Sequence, residues 1–450
     1  MMRAAAAGVN ITPPVGLELS GWCFGPSVGI HDELYAKALI LESGGETVGL
    51  ITADLIGFGT RYADRIRAGA ADRLGTSPRN VMVSCSHTHS GPGTMKLREW
   101  GALDECYVET VIKKILGAVA MAAGSLREAR IGTGIGEVPG VAVNRRAEKP
   151  RAAGDAEEAG GASGAIGAAA AGPVDTSLGV IRLDDAAAEP GGMMAVLMNY
   201  SCHPVAAHDW ENMISADYPG YAAGVIEAVK GPGTTALFTT GAAGDINPVA
   251  FHHIRYAEKY GHMVGAEALK TAEATETAGE VEIAAASKVV ALPVEPLPAE
   301  KELERVMAEQ RRQVVALEKE AEPAREPLSA ARIRLEWAED ALRCVRSGEA
   351  AGSMDMEMQV IRLGDTALVC LPAELFVEIG LNIKAASPFP HTFIVELANG
   401  SISYIPTDAE LERGGYEVDL ASKVYGLYTL KPGVQALVET AARELLASVR

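Results

Sequence analysis

The stretch VSCSHTHSGPGT, residues 83–94, sets His87 and His89 one residue apart, between a strand-like run and the turn Gly91-Pro92-Gly93. In an extended chain, residues i and i+2 share a face, so both imidazoles would project together with Thr88 opposite. Two arrangements follow. Both rings bind one metal, or one binds it while the other hydrogen-bonds a substrate or a neighbouring ligand. Taken alone, H-x-H is weak evidence, because a hydrogen-bonded turn uses the same residues, so the remaining ligands must come from elsewhere in the chain. The Gly-Pro-Gly turn would bend the backbone sharply and leave clearance for a substrate.

Four further places carry residues of the right type. His203 closes MMAVLMNYSCHP, where Pro204 biases its neighbour to extended geometry and removes a ladder donor, so His203 belongs at a strand end. Strand ends at the carboxyl edge of a sheet are where α/β proteins place ligands. His208, in the following loop, is the weaker candidate. ALFTTGAAGDINPVA runs from a strand into a glycine-rich turn bearing Asp245 and Asn247. Backbone N–H groups of such turns can hold an anion or oxyanion, and the absence of G-K-[ST] excludes a P-loop. LPAELFVEIG puts Glu374 between a strand and a helix, where a carboxylate serves equally well as a partner of the helix dipole. Tyr404, in ANGSISYIPTD, reads by itself as a half-buried sheet tyrosine.

The elements that must position these residues alternate between strand and helix. ELYAKALILES and ETVGLITADLIG read as paired strands around Ser-Gly-Gly, followed by helical RYADRIRAGAADRLG, the strand VMVSCSH and helical CYVETVIKKILGAVAMAAG. ARIGTGIGEVPGVAVNRR reads as strand and turn, with Glu137 where a dinucleotide-binding loop needs its third glycine. Further strands are expected at TSLGVIRLDD, MMAVLMNYSCH, ALFTT, MQVIRLGDTALVCLPAE and HTFIVELANGSISYIPT. Helices are expected near 218–230, 255–274, 375–386 and from 434 onward. This order predicts an α/β fold, a single mixed-sheet domain over residues 1–450 with its site at strand ends and no internal repeat. Residues 151–172, Ala/Gly-rich, read as a flexible surface insertion. Residues 299–349, rich in Ala, Glu, Arg and Leu, read as a helical hairpin. Its charge pattern predicts a solvated arm, a candidate oligomer contact that does not cover the pocket.

A net charge of −19 leaves no basic excess to neutralise phosphates, which argues against nucleic-acid binding and against docking on anionic lipid. Six scattered cysteines without a CxxC pair suit thiols in a reducing compartment. The N-terminus lacks the apolar core of a signal peptide, and no stretch approaches a membrane span. A cytoplasmic chain is the expectation.

Taken together, VNITPPVG, GIHDELYAKALIL, ITADLIG, VMVSCSHTHSGPG, VNRR, NYSCHP, ISADYPGYAA, GAAGDINP, LPAE, SYIPT and YEVDLASKVYGLYTL resemble, in order, the neutral/alkaline non-lysosomal ceramidase family. These are zinc-dependent amide hydrolases, and HTHSGPG is the most specific of the motifs. The resemblance implies one Zn2+ per chain on His87, His203, Glu374 and Tyr404, a ligand set of two imidazoles, a carboxylate and a phenol that suits zinc. It implies that His89 faces the substrate, that Arg145 of VNRR contacts it, and that zinc-activated water attacks the amide. His89 and Tyr404 would stabilise the oxyanion or pass a proton. The sequence departs from the family where Gly244-Asp245-Ile246-Asn247-Pro248 carries Asn247 in place of a serine, which removes a covalent serine route there but leaves Asn247 as a catalytic candidate that could donate a hydrogen bond. No stretch up to Arg450 reads as the C-terminal β-sandwich of typical members, so a catalytic domain alone is the expectation. The expected substrate is therefore ceramide-like or a smaller soluble N-acyl amide. An esterase or lactonase using the same zinc, and a catalytically degenerate ligand-binding relative, are the alternatives.

Overall fold

The structure, a computed structural model, describes all residues except 22–24, 148–171, 189–191, 208–211 and 321–324. The Ala/Gly-rich insertion up to residue 171 and His208 lie outside the described residues.

Eight strands form a mixed sheet in the order Thr235–Thr240, Met193–Tyr200, Ser177–Asp185, Arg127–Glu137, Arg3–Asn10, Tyr35–Ser43, Glu46–Ala53, Val81–Cys85. Four more, Ile283–Pro293, Ser353–Leu363, Thr366–Cys370 and His391–Val395, form a second sheet in that order. The period of two along each strand explains how the sheets pack. In Tyr35–Ser43, Leu39 and Leu41 point toward the second sheet, among Ile361, Leu368 and Phe393. Ile40 points the other way, among Ile66, Val111 and Ile115 of the helices Thr60–Leu74 and Glu105–Ala123. The result is two sheets face to face with helices on their outer sides. Each fully buried Val, Leu or Ile stabilises this arrangement by roughly 1.5–3 kcal/mol.

The chain uses one unit three times. Three antiparallel strands, a helix and a fourth strand parallel to the third occur as Arg3–Asn10 to Val81–Cys85, around the helix Thr60–Leu74. They recur as Arg127–Glu137 to Thr235–Thr240, around Asp217–Lys230. They recur again as Ile283–Pro293 to His391–Val395, around Val377–Ala386. The sequence reading of no repeat is corrected here, since the repeat lies in hydrogen-bonding order and not in residue similarity. The fourth strands meet at their carboxyl ends. Thr240 Oγ1 donates to Ser86 O at 2.8 Å, the Glu396 amide donates to Thr240 O at 3.1 Å, and the Asn399 amide donates to Val83 O at 2.7 Å.

The hairpin Glu300–Leu317 and Arg325–Ser347 forms where its composition placed it, but it is not merely solvated. Its second helix buries Ile333 against Ile56, Met95, Leu97, Trp100 and Val424, and Arg98 bridges to Asp340 at 2.5 Å. An apolar stripe at helical spacing inside a charged helix decides this packing.

Candidate active site

The carboxyl ends of the parallel strands in the three units bring the candidate residues together. His87 lies two residues beyond Cys85, His203 three beyond Tyr200, and Glu374 four beyond Cys370. Glu374 and Tyr404 sit side by side in a short parallel pairing of Glu374–Leu375 with Tyr404–Ile405. All four are buried, at 1%, 1%, 0% and 5% exposure respectively.

The two imidazoles are held alike. His87 Nδ1–H donates to Ile56 O at 2.6 Å, and His203 Nδ1–H donates to Ala243 O at 2.6 Å. A ring nitrogen committed to a carbonyl fixes the tautomer, so each Nε2 carries its lone pair inward. Both lone pairs converge on one oxygen, Glu374 Oε2, at 3.4 Å from His87 and 2.9 Å from His203. Ligands about 2.1 Å from a tetrahedral zinc lie about 3.4 Å from one another, so this donor set fits the ion that the sequence implies. Tyr425 donates its hydroxyl to Glu374 Oε1 and thereby fixes the carboxylate plane. Burial alone would raise the pKa of Glu374, but the His87 and His203 rings in their protonated forms, through charge and hydrogen bonds, overcome it and hold the carboxyl well below its usual range.

His89 does not stand apart from this cluster. Its Nε2 is 3.4 Å from that of His87, and ligating atoms of His87, His89 and His203 all lie within 4.8 Å of one another. The two rings converge for a different reason from the one the spacing suggested. His87 has a φ of +72°, so the segment is not extended and the i, i+2 rule does not apply. Tyr404 stacks on His203 with ring centroids 6.5 Å apart, and it touches Tyr416, whose ring stacks on Trp100. Burial and the Glu374 charge push the Tyr404 phenol well above its ordinary pKa.

Arg145 flanks the aromatic rings, its guanidinium 5.6 Å from the Tyr404 centroid. It donates to Glu417 Oε1 at 2.9 Å, to Asn247 Oδ1 at 3.0 Å and to Gly244 O at 2.7 Å. Asn247 thus serves as an acceptor that orients Arg145. Tyr416, Glu417, Tyr425 and Glu396 were not singled out by the sequence reading, although the first three lie inside YEVDLASKVYGLYTL.

The Gly-Pro-Gly turn has another role than substrate clearance. Gly91–Pro92 pairs with Leu19–Ser20, and a Cβ on Gly93 would stand 2.2 Å from Ala102 O. The glycine that clears the site is Gly21, with φ +85°, where a Cβ would meet His89 Nδ1 at 2.5 Å. Gly93→Ala is accordingly expected to destabilise the fold by at least ~1–3 kcal/mol, because the opposing atom is backbone and cannot swing away. A urea midpoint unchanged from wild type would refute this.

The comparisons with known proteins bear on this geometry. The family model for the N-terminal region of neutral/alkaline non-lysosomal ceramidase matches residues 11–264. The chain belongs to that family. It is 27% identical over 188 residues to neutral ceramidase B of Dictyostelium discoideum, a match that covers 38% of this chain and 24% of that relative. The chain thus spans about a quarter of the length of the curated relative it matches. The fold is shared with neutral ceramidase from Pseudomonas aeruginosa, at a TM-score of 0.73 and 19% identity, covering 99% of this chain and 74% of that one. A ceramidase complexed with C2 aligns with a TM-score of 0.72 and 18% identity, over 100% of this chain and 75% of that one. This mixed-sheet α/β architecture is therefore that of the neutral ceramidases.

Proposed function

We propose that this ceramidase-family chain is a zinc-dependent amidohydrolase that cleaves an N-acyl substrate, ceramide-like or a smaller soluble N-acyl amide. The observation that carries the reading is the convergence of two carbonyl-anchored imidazoles on Glu374 Oε2. His87, His203, Glu374 and Tyr404 would hold the ion. Zinc bound there supplies Lewis-acid polarisation of a carbonyl and acidifies water. The protein contributes the rest. Arg145, fixed at three acceptors, offers a rigid cation to the negative charge that develops on the acyl oxygen. His89, beside His87, offers an exchangeable proton for the leaving amine. Purified protein is expected to carry roughly one zinc per chain and to hydrolyse N-acyl amides faster than esters of the same acyl chain. Faster ester cleavage would assign the site to an esterase, and zinc retained without any turnover would assign it to a binding protein.

The metal-free site should also respond to pH. Burial pushes the His203 imidazole down to about 4, and the hydrogen bond that only the protonated ring makes to Glu374 offsets this in part. Because the folded pKa is depressed, the associated stability is complete above the unfolded value near 6.5 and is lost as pH falls toward 4. Asp54 and Asp217, raised to about 6 and about 7 by burial, act in the opposite sense, losing stability as pH rises. The informative quantity is therefore the difference between wild type and His203→Gln. With chelator present, wild type should lose about 2 kcal/mol more than the variant between pH 8 and pH 5. Parallel pH profiles for the two proteins would contradict this.

A further inference from the structure

Glu396 follows the strand His391–Val395 and has 0% exposure. Its side chain belongs to no ion pair among the described residues. One of its oxygens nevertheless does two things at once. Oε2 accepts from the Ala243 amide at 3.1 Å and from the Leu375 amide at 3.1 Å. Ala243 is the residue whose carbonyl takes the Nδ1–H of His203, and Leu375 directly follows Glu374. The same two segments are joined once more where the Gly244 amide donates to Leu375 O at 2.9 Å. Oε1 has no hydrogen-bond partner among the described residues, so the side chain is oriented through Oε2.

We propose that Glu396 is a positioning residue of the metal site, a single oxygen that clamps the His203-orienting carbonyl loop to the Glu374 segment and so sets the 2.9 Å approach of His203 to Glu374. This rests on the reading of that cluster as a zinc site. The unit topology explains why the residue sits there. Glu396 leaves the fourth strand of the last unit where its own amide meets Thr240 O, at the end of the fourth strand of the middle unit. From that position it reaches backbone on both sides. A buried acceptor that satisfies two buried amides is hard to replace, because each orphaned N–H costs a full desolvation penalty. Only an acceptor oxygen is needed and not a negative charge. Burial and the nearby Glu374 carboxylate in fact hold Glu396 well above the usual carboxyl range.

The test uses the full chain, Zn2+ alone and a competing chromophoric chelator. Glu396→Gln keeps an acceptor at Oε2 and should bind zinc within about threefold of wild type. Glu396→Leu has similar volume and no acceptor, and should lose about 10–100-fold in affinity. In parallel, 15N-histidine spectra of the metal-free proteins report the His203 tautomer. The Nδ1–H signal is expected in wild type and Glu396→Gln, and is expected to be lost or exchanging in Glu396→Leu. Wild-type affinity and tautomer in Glu396→Leu, or a tenfold loss in Glu396→Gln, would overturn the proposal. Should Glu396→Leu fail to fold, Glu396→Asp decides, since it withdraws the oxygen by one methylene; a tenfold loss supports the clamp and unchanged affinity overturns it. If wild type takes up no zinc, the hydrolase reading fails, and the tautomer spectra still decide the role of Glu396.

Discussion

Replacing His87 with alanine is expected to take the zinc content from about one per chain to near zero and to abolish hydrolysis. The loss should exceed the ~10–100-fold typical of residues that only support a ligand, because a donor atom itself is removed. His87 Nε2 faces Glu374 Oε2 at 3.4 Å, and without it the carboxylate keeps one imidazole partner, His203. A second variant separates donor loss from backbone effects. His87 occupies the left-handed region at φ +72°, a conformation that costs a non-glycine residue roughly 1–2 kcal/mol. His87→Gly removes that strain and His87→Ala retains it, so the glycine variant should be the more stable of the two in metal-free form. This reverses the usual ranking of alanine over glycine. Inductively coupled plasma analysis and metal-free urea melts read both effects. Retained zinc in His87→Ala would remove the basis of the metal site, and a less stable His87→Gly would show that the strain is not relieved.

The strain also explains what the sequence could and could not convey. The order of strands and helices follows from residue pattern, and the motif-bearing loops fall at strand ends because Pro204 and the glycine-rich turns stop those strands. Which strand ends meet is a different matter. His87 stands beyond the fourth strand of the first unit, and His203 and Glu374 beyond the third strands of the other two, so their meeting is written in pairing order across long sequence distances. The Glu374–Tyr404 register spans an intervening helix and strand, so no local rule predicts it. Resemblance to a family marked these residues as candidate ligands where periodicity left each of them ambiguous. His89 shows the limit of the spacing rule, since its proximity to His87 arises from a left-handed residue. Ile333 shows the limit of reading charge, since one apolar face suffices to bind a charged helix to the wall behind Trp100 and Tyr416. Glu396 carried no local signal, and Glu417 and Tyr425 lay inside the motif YEVDLASKVYGLYTL without a role that spacing could assign. Each matters through what the fold brings to it.

Glu417 carries the second large effect. It is buried to 4% exposure and serves two guanidiniums, accepting from Arg145 Nε through Oε1 at 2.9 Å and from Arg146 Nη1 through Oε2. Burial by itself would raise its pKa, but the two arginines hold the carboxyl below its ordinary value, so it is charged at neutral pH. Arg146 keeps a second carboxylate, Glu410. Arg145 has no second carboxylate among the described residues, since Asn247 Oδ1 and Gly244 O, its other acceptors, are neutral. Glu417→Gln therefore leaves a buried cation with dipoles only, and breaking a buried pair in this way costs about 3–5 kcal/mol. The same change frees the guanidinium that Glu417, Asn247 and Gly244 hold in place, so kcat should fall along with stability. A double-mutant cycle with Arg145→Met distinguishes pairing from general damage. If the penalty arises from an uncompensated charge, removing the arginine as well should restore much of it, and the double variant should be more stable than the sum of the single losses by more than 1 kcal/mol. Additive losses in urea melts would mean that Glu417 stabilises the fold through Arg146 and the Gly414–Asp419 turn instead, and that Arg145 is held in the site by Asn247 and Gly244.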